Sequence, residues 1–515
     1  MRVMSALGRL RQDRPAASRV IWLARLVAIA GLCCAAGASR AQSVDVYVSS
    51  VAGDRLTRKP ALQFKAAQSQ PSDFQIDDAS QFQEIIGFGA SFLEAGLITL
   101  NHLPGAQQER VLRSLFDARS GAGFSAMKTV IAATDFMSAG PFYSYDDVPG
   151  DVGLEHFSIQ RDLGPNGLVT FIKRAGRYGT FVLQAPMDYP PDWMLFDAKS
   201  HQDVDPKYYA VLARYYLRYV QEYERQGITI NYLSPFNEPG NYTKISYAEI
   251  RDLLKNHVGP LFERSNLKTR LQASDDPTRS GARTNLPVIL EDPDARQYLS
   301  ILSYHGYDFC CQGDKPTTAD QEREAFAGIA ELHRQYPSLP LWMTELCYAG
   351  AGYGIKPRVQ PIPYYGFEDG DYWGHQIMAD LENGASAWTY WNMILDETGG
   401  PWLVDEAKGN PPNNSQQPLV IINKKTKQVS YTGAYYYLAH FSKFVRPGSH
   451  LLKTVGAEDG IRVMSFKRSD GTIVAEIINS RSAAASIMLG WGHRVVGVAL
   501  PAASISTYLW NGSAR

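Results

Sequence analysis

Ile228-Thr229-Ile230-Asn231-Tyr232-Leu233-Ser234-Pro235 runs without a break into Phe236-Asn237-Glu238-Pro239. A short apolar run rich in β-branched and aromatic residues, stopping at a polar cluster, predicts a buried strand whose carboxyl end presents side chains to a loop. The stretch before it has another period. From Asp205 to Glu224, Tyr208, Leu212, Tyr215, Tyr216 and Tyr219 recur at helical spacing. A helix feeding a buried strand predicts a parallel βαβ unit.

Working outward, seven more runs share this texture: Glu84–Phe88, Ser125–Ala132, Thr180–Ala185, Thr269–Ala273, Tyr298–Tyr304, Leu339–Thr344 and Ala385–Trp391. Their starts lie about 30 to 55 residues apart, the length of a strand, a crossover helix and two loops. A second helix-length stretch, Thr318 to Tyr336, separates two of them. Eight such units most economically close into a (β/α)₈ TIM barrel, an α/β fold. The chain ends read differently. Val44-Asp45-Val46-Tyr47-Val48 alternates at period two, and so do Ile461–Phe466, Thr472–Ile478, Ser486–Leu489, Val495–Ala499 and Ser504–Leu509. They predict an all-β side domain formed by both chain ends, because a lone amino-terminal strand would leave its backbone groups unpaired. The expected organisation is a signal peptide over 1–41, side-domain strands over 42–80, the catalytic barrel over 81–435 and a β-sandwich over 436–515.

The 515 residues are 45% hydrophobic and 20% charged, which excludes disorder, collagen or coiled coil as the main state. The net charge of −1 conceals an asymmetry: residues 1–41 hold seven Arg and one acid, Asp13, leaving 44 basic and 51 acidic residues in the body. A mildly acidic body has no electrostatic reason to seek nucleic acid or an anionic membrane. An Arg-rich start, an apolar run from Leu26 to Ala38 and the small residues Ser39 and Ala41 are the pattern of an export signal cleaved near Ala41. A periplasmic or secreted protein is expected, with no stable membrane insertion of the mature chain.

In such barrels the chemistry sits at the carboxyl ends of the strands. The fourth run ends at Asn237 and Glu238, and the seventh at Thr344-Glu345. Two carboxylates three strands apart in an eight-strand ring can converge across the mouth, and glycosidic bond cleavage requires such a pair. The second run ends at Asp135, the sixth at His305 and Tyr307, and the eighth at Trp391, while Trp193 follows the third. Aromatic faces beside hydrogen-bonding groups suit a pyranose, whose C–H faces pack on rings and whose hydroxyls need fixed partners. Asp135, Asn237, His305, Tyr307, Trp391 and Trp193 are therefore candidate sugar-binding residues. A neighbouring carboxylate is expected to raise the pKa of the proton donor. No closely spaced His pair suggests a metal, and Gly87-Phe88-Gly89 lacks the context of a dinucleotide fingerprint. Neither a metal nor an organic cofactor is expected, nor a protein partner. Cys310, Cys311 and Cys347 are expected to be buried small side chains.

Taken together, Ile86-Gly87-Phe88-Gly89-Ala90-Ser91-Phe92, Thr134-Asp135-Phe136, Tyr143-Ser144-Tyr145-Asp146-Asp147, Asn237-Glu238-Pro239, Ser274-Asp275-Asp276, Thr344-Glu345-Leu346-Cys347, Trp388 to Asn392 and His440 to Val445 resemble glycoside hydrolase family 30, the family of lysosomal glucosylceramidase. The resemblance implies a barrel with a β-sandwich, a retaining mechanism, Glu238 as acid/base and Glu345 as nucleophile. It also implies that Asp135 binds the outer hydroxyls of the terminal sugar. Three positions depart from it. Met187-Asp188 stands where a Trp is usual, Lys128 replaces an Arg, and Asp405 replaces an Asn after the Gly399-Gly400-Pro401-Trp402 turn. The sequence thus predicts an exported retaining β-glycosidase for a carbohydrate or glycolipid substrate. β-Glucosides such as glucosylceramide are favoured, in part because the Tyr143–Tyr145 loop suits a pocket for a terminal sugar. β-1,6-Glucan, β-xylosides and a non-catalytic carbohydrate-binding relative are the alternatives.

Overall fold

The computed structural model describes residues 42–67, 71–137, 142–198, 202–309, 319–348, 366–405 and 412–512, together with Gly140 and Asn410. The expected signal segment, Cys310 and Cys311 lie outside the described residues. Eight parallel strands close a barrel: Gly87–Ser91, Ala126–Lys128, Val182–Pro186, Tyr232–Ser234, Arg270–Asp276, Leu299–His305, Leu341–Glu345 and Ala385–Asn392. Each overlaps one of the eight apolar runs. The helix before the fourth strand occupies Tyr209–Arg225 and buries Leu212, Tyr215, Tyr216, Tyr219 and Tyr223. The stretch expected from Thr318 forms Ala319–Gln335. Among the described residues no helix is long and apolar enough to cross a membrane.

The first run divides between two sheets. Phe74–Ile85 is a twelve-residue strand of the side domain, and only Ile86 separates it from Gly87, where the barrel begins. Gly87 makes that passage at φ +151°, a backbone conformation side-chain-bearing residues seldom adopt. Gly89 is needed for a different reason: a Cβ there would lie 2.1 Å from the Ala126 carbonyl oxygen on the second strand.

The side domain is a ten-stranded sheet ordered Thr57–Gln63, Ser43–Ser50, Ser504–Asn511, Thr472–Asn479, Ile461–Lys467, Ser449–Gly456, Phe74–Ile85, Ala485–Trp491, Arg494–Leu500, Lys65–Ala66. The amino-terminal strand is sandwiched by its neighbours, with Val46 opposite Tyr508, so its backbone groups are satisfied as expected. Val44, Val46 and Val48 pack with Ile473, Ile477, Trp491 and Trp510 in a separate hydrophobic cluster. The helix Gly433–Phe444 ties this sheet to the barrel. Phe441 meets Phe88 of the first barrel strand at a ring-centroid distance of 5.8 Å, and His440 reaches Ser49 and Thr507 of the sheet.

Candidate active site

The fourth strand ends at Ser234, and the chain turns so that Asn237 bridges to Asp275 on the fifth. Glu238 N–H donates to the Asp275 carbonyl at 2.8 Å, and Asn241 N–H to the Glu238 carbonyl at 2.9 Å. Between these bonds Glu238 is held at φ +45°, a left-handed conformation that costs a non-glycine residue about 1–3 kcal/mol and persists only where the surroundings dictate it. The residue is 6% exposed. Asn241 Nδ2 donates to Oε2 at 3.0 Å and His305 Nδ1 lies 2.7 Å from Oε1.

Glu345 closes the seventh strand, 4% exposed. Lys128 Nζ sits 2.5 Å from its Oε2, and the Tyr307 hydroxyl donates to Oε1 at 2.8 Å. The sixth strand delivers His305 and Tyr307 to this point because its end is pinned twice. Gly306 N–H donates to the Glu345 carbonyl at 3.0 Å, and the Gly306 carbonyl accepts from buried Arg279 at 2.9 Å. Arg279 in turn forms a two-point ion pair with buried Asp380, at 2.8 and 2.7 Å. A planar guanidinium matched to a carboxylate fixes orientation as well as distance.

One carboxylate oxygen of Glu238, one of Glu345 and a ring nitrogen of His305 all lie within 4.8 Å of one another. These three donors could in principle surround a cation. The Lys128 ammonium already occupies the position against Glu345, however, and also donates to Asn237 Oδ1 at 2.9 Å. Lys128 Nζ is 3.4 Å from His305 Nε2. Burial holds the His305 pKa down at about 4, so the ring is neutral at ordinary pH. A neutral ring facing an ammonium on Nε2 carries its hydrogen on Nδ1 and gives it to Glu238 Oε1.

Burial is also the first reason that the Glu238 pKa is raised, with Asp275 adding to it and Asn241 and Lys128 opposing. The sequence expectation placed that rise on the neighbouring carboxylate of Glu345. Burial comes first instead, and the neighbouring carboxylate that contributes is Asp275. Burial works against the charge of Lys128 itself, but Glu345, Asp275 and Asp188 outweigh it and leave its pKa raised.

Asp135 reaches the same mouth from the second strand. Thr134 Oγ1 and Asn414 Nδ2 each donate to its carboxylate at 3.0 Å, and burial raises its pKa to about 7. Trp391 lies under Lys128, its ring centroid 4.9 Å from Nζ. Trp193 stands apart from this cluster. Its indole N–H donates to the Asp146 carbonyl at 2.9 Å and its ring meets Tyr208 edge-on. The Tyr143–Tyr145 loop also differs from expectation. Both hydroxyls donate to buried Asp162, which Tyr223 joins, and Tyr145 stacks between helix residues Tyr215 and Tyr219. These tyrosines brace the loop instead of offering hydroxyls to a sugar. Asp405 is bridged to Asn410, and the amide beside Asp135 comes from Asn414. Cys347 is buried as expected, its Sγ 3.2 Å from Gln416 Oε1. A separate cavity of about 640 Å³ lies at the amino end of the barrel, beside Gly384 and Leu451, and is lined by none of the groups described here.

A parallel barrel whose strand ends bring two buried carboxyls together has the arrangement that glycosidic-bond hydrolysis uses. Residues 85–445 match the glycosyl hydrolase family 30 TIM-barrel domain and residues 448–508 the family 30 beta sandwich domain, and the chain belongs to this family. An endo-1,6-beta-D-glucanase of Neurospora crassa is 27% identical over 461 residues, covering 83% of this chain and 88% of that one. The lysosomal acid glucosylceramidase of Mus musculus is 25% identical over 463 residues, covering 84% and 82%. The solved structure of the endo-beta1,6-glucanase BT3312 superposes with a TM-score of 0.75 at 24% identity over 91% of this chain and 99% of that one.

Proposed function

We propose that the protein is an exported, retaining β-glycosidase of glucosyl linkages, with Glu345 as nucleophile and Glu238 as acid/base. The observation that carries this reading is the approach of one oxygen from each carboxyl to within 4.8 Å. Inverting enzymes separate the pair by roughly 6.5–9.5 Å to admit a water, whereas roughly 5–5.5 Å suits direct attack on the sugar.

The surroundings support the division of roles. Glu238, buried and raised in pKa, holds a proton at the pH where an ordinary carboxyl has lost it. His305 Nδ1–H at Oε1 and the Asn241 amide at Oε2 hold the Glu238 carboxyl in place for proton transfer to the leaving group. Glu345 is held by an ammonium and a phenol, as an attacking carboxylate should be. In the first step the Glu238 proton passes to the departing oxygen, the anomeric C–O bond breaks and Glu345 bonds to the anomeric carbon. In the second, Glu238 takes a proton from water, the water oxygen bonds to that carbon and the ester to Glu345 is released. Asn237 spends its carbonyl oxygen on Lys128, so its amide N–H is the donor it has for a sugar hydroxyl.

Glucosyl specificity draws on the relatives, named as glucosylceramidase and endo-1,6-beta-D-glucanase. Turnover of nitrophenyl β-glucoside, nitrophenyl β-xyloside, glucosylceramide and β-1,6-glucan tests it. The highest kcat/KM is expected on a glucosyl substrate, and preference for the xyloside would refute that part. Export draws on the Arg-rich and apolar first 41 residues. A secreted form beginning at Gln42 is expected by mass analysis.

A further inference from the structure

We propose that Asp188 is a glycone-binding residue that accepts a hydrogen bond from a hydroxyl of the sugar held against Glu345. The inference rests on the glycosidase reading above and adds a recognition residue to it.

Asp188 lies two residues past the third barrel strand, Val182–Pro186, between the strand ends that deliver Asp135 and Glu238. Its backbone is fixed there. Thr243 Oγ1 donates to the Asp188 carbonyl at 3.2 Å, and Asn237 N–H donates to the adjacent Met187 carbonyl at 2.8 Å. The side chain is 1% exposed, yet among the described residues neither carboxyl oxygen has a hydrogen-bond partner.

Asp188 differs in this from the other carboxyls of the cluster. Glu345 has Lys128 and Tyr307, Glu238 has His305 and Asn241, Asp135 has Thr134 and Asn414, and Asp275 has Thr344 and Gln272. The Thr134 hydroxyl also acts on Asp188, but its hydrogen bond at 3.0 Å goes to Asp135. Lys128, Asp135 and Glu345 all act electrostatically on Asp188, and burial is the main reason its pKa is raised.

A buried polar group left without a partner is costly, and native structures seldom keep one that serves packing alone. Among the described residues no donor is paired with either oxygen of this carboxyl, so a ligand can supply one. In a site for a neutral sugar that donor is a hydroxyl. The adjacent Met187, fully buried, offers no such contact.

The test is kcat/KM of wild type, Asp188→Ala and Asp188→Asn on a nitrophenyl β-glucoside and its 2-, 3-, 4- and 6-deoxy analogues, with thermal unfolding run in parallel. Losing one buried hydrogen bond corresponds to about a 3- to 100-fold drop. Asp188→Ala is expected to lose that factor on the parent glucoside and nothing further on one deoxy analogue, the one lacking the hydroxyl that Asp188 binds. Asp188→Asn keeps the shape and one acceptor and should recover part of the loss. It carries the test if the alanine variant does not fold. An equal loss on the parent and all four analogues, or no loss on any, overturns the inference while leaving the glycosidase reading intact. If wild type turns over no glycoside, that reading falls and this one falls with it.

Discussion

Azide should answer the loss of each glutamate differently, because the vacated space opens on opposite faces of the sugar. Glu345→Ala is expected to lower kcat by about 10⁴-fold or more. Azide entering that space should restore turnover of an activated glycoside in a single displacement, giving the α-glycosyl azide. Glu238→Ala should instead release a β-glycosyl azide and lose the alkaline limb of its pH profile, since the group that must stay protonated is gone. Product analysis by NMR checks both, and the same anomer from both variants would reverse or void the assignment. These two residues were legible because each closes an apolar run with a polar cluster, a signal contained in a few neighbouring residues. Lys128 was visible only as a departure from the family pattern. Its partners Asn237 and Glu345 lie 109 and 217 residues away in sequence, and only barrel closure joins them. Asn414 and Asn241 sit in segments without periodicity, and Trp193 misled because an aromatic residue near a strand end fits loop packing equally well.

Strand contacts set where Lys128 is delivered. At Gly89 a methyl group would meet the Ala126 carbonyl at 2.1 Å and Met127 Sδ at 2.7 Å, and a backbone oxygen in a parallel barrel has little room to yield. Gly89→Ala should therefore cost about 1–3 kcal/mol of stability. By displacing the second strand it should also lower kcat more than it raises KM. Denaturant unfolding and steady-state kinetics check this, and a variant with wild-type stability would mean that the strands can part freely. Elements with one clean period were readable from sequence, among them the helix at Tyr209–Arg225 and the eight barrel strands. The first strand was misplaced at its start because side-domain strand and barrel strand adjoin with only Ile86 between them. Ser449–Gly456 was missed for a related reason: its register against Phe74–Ile85 shifts twice, which breaks the alternation a period-two search detects.

For the molecule as a whole, the joint between barrel and side domain carries a buried pair whose titration predicts its pH tolerance. Thr507 Oγ1 donates to Glu476 at 2.6 Å, and His440 reaches Thr507 and Ser49. Burial lifts the Glu476 pKa to about 8 and depresses that of His440 to about 3. A carboxyl raised from its ordinary 4.5 favours the folded state fully below pH 4.5 and loses that contribution as pH rises through 8. A histidine lowered from 6.5 favours the folded state above 6.5 and loses its contribution as pH falls through 3. Glu476 should thus remove up to a few kcal/mol from wild type between pH 5 and pH 8, against which His440 adds stability up to about pH 6.5. Glu476→Gln should lose less, so its Tm should gain on wild type as pH rises, and parallel Tm curves would refute this. The helix that carries His440 packs Phe441 on Phe88 of the first barrel strand, and at the mouth the proposed reaction forms a covalent bond to Glu345. The most direct measurement is peptide mass mapping after incubation with a 2-deoxy-2-fluoro-β-glucosyl fluoride, whose glycosyl-enzyme ester forms faster than it hydrolyses. One added fluoroglucosyl mass is expected on the peptide containing Glu345; a label on Glu238, or turnover of the enzyme's best glycoside with inversion and no adduct, would overturn the assignment of Glu345 as nucleophile.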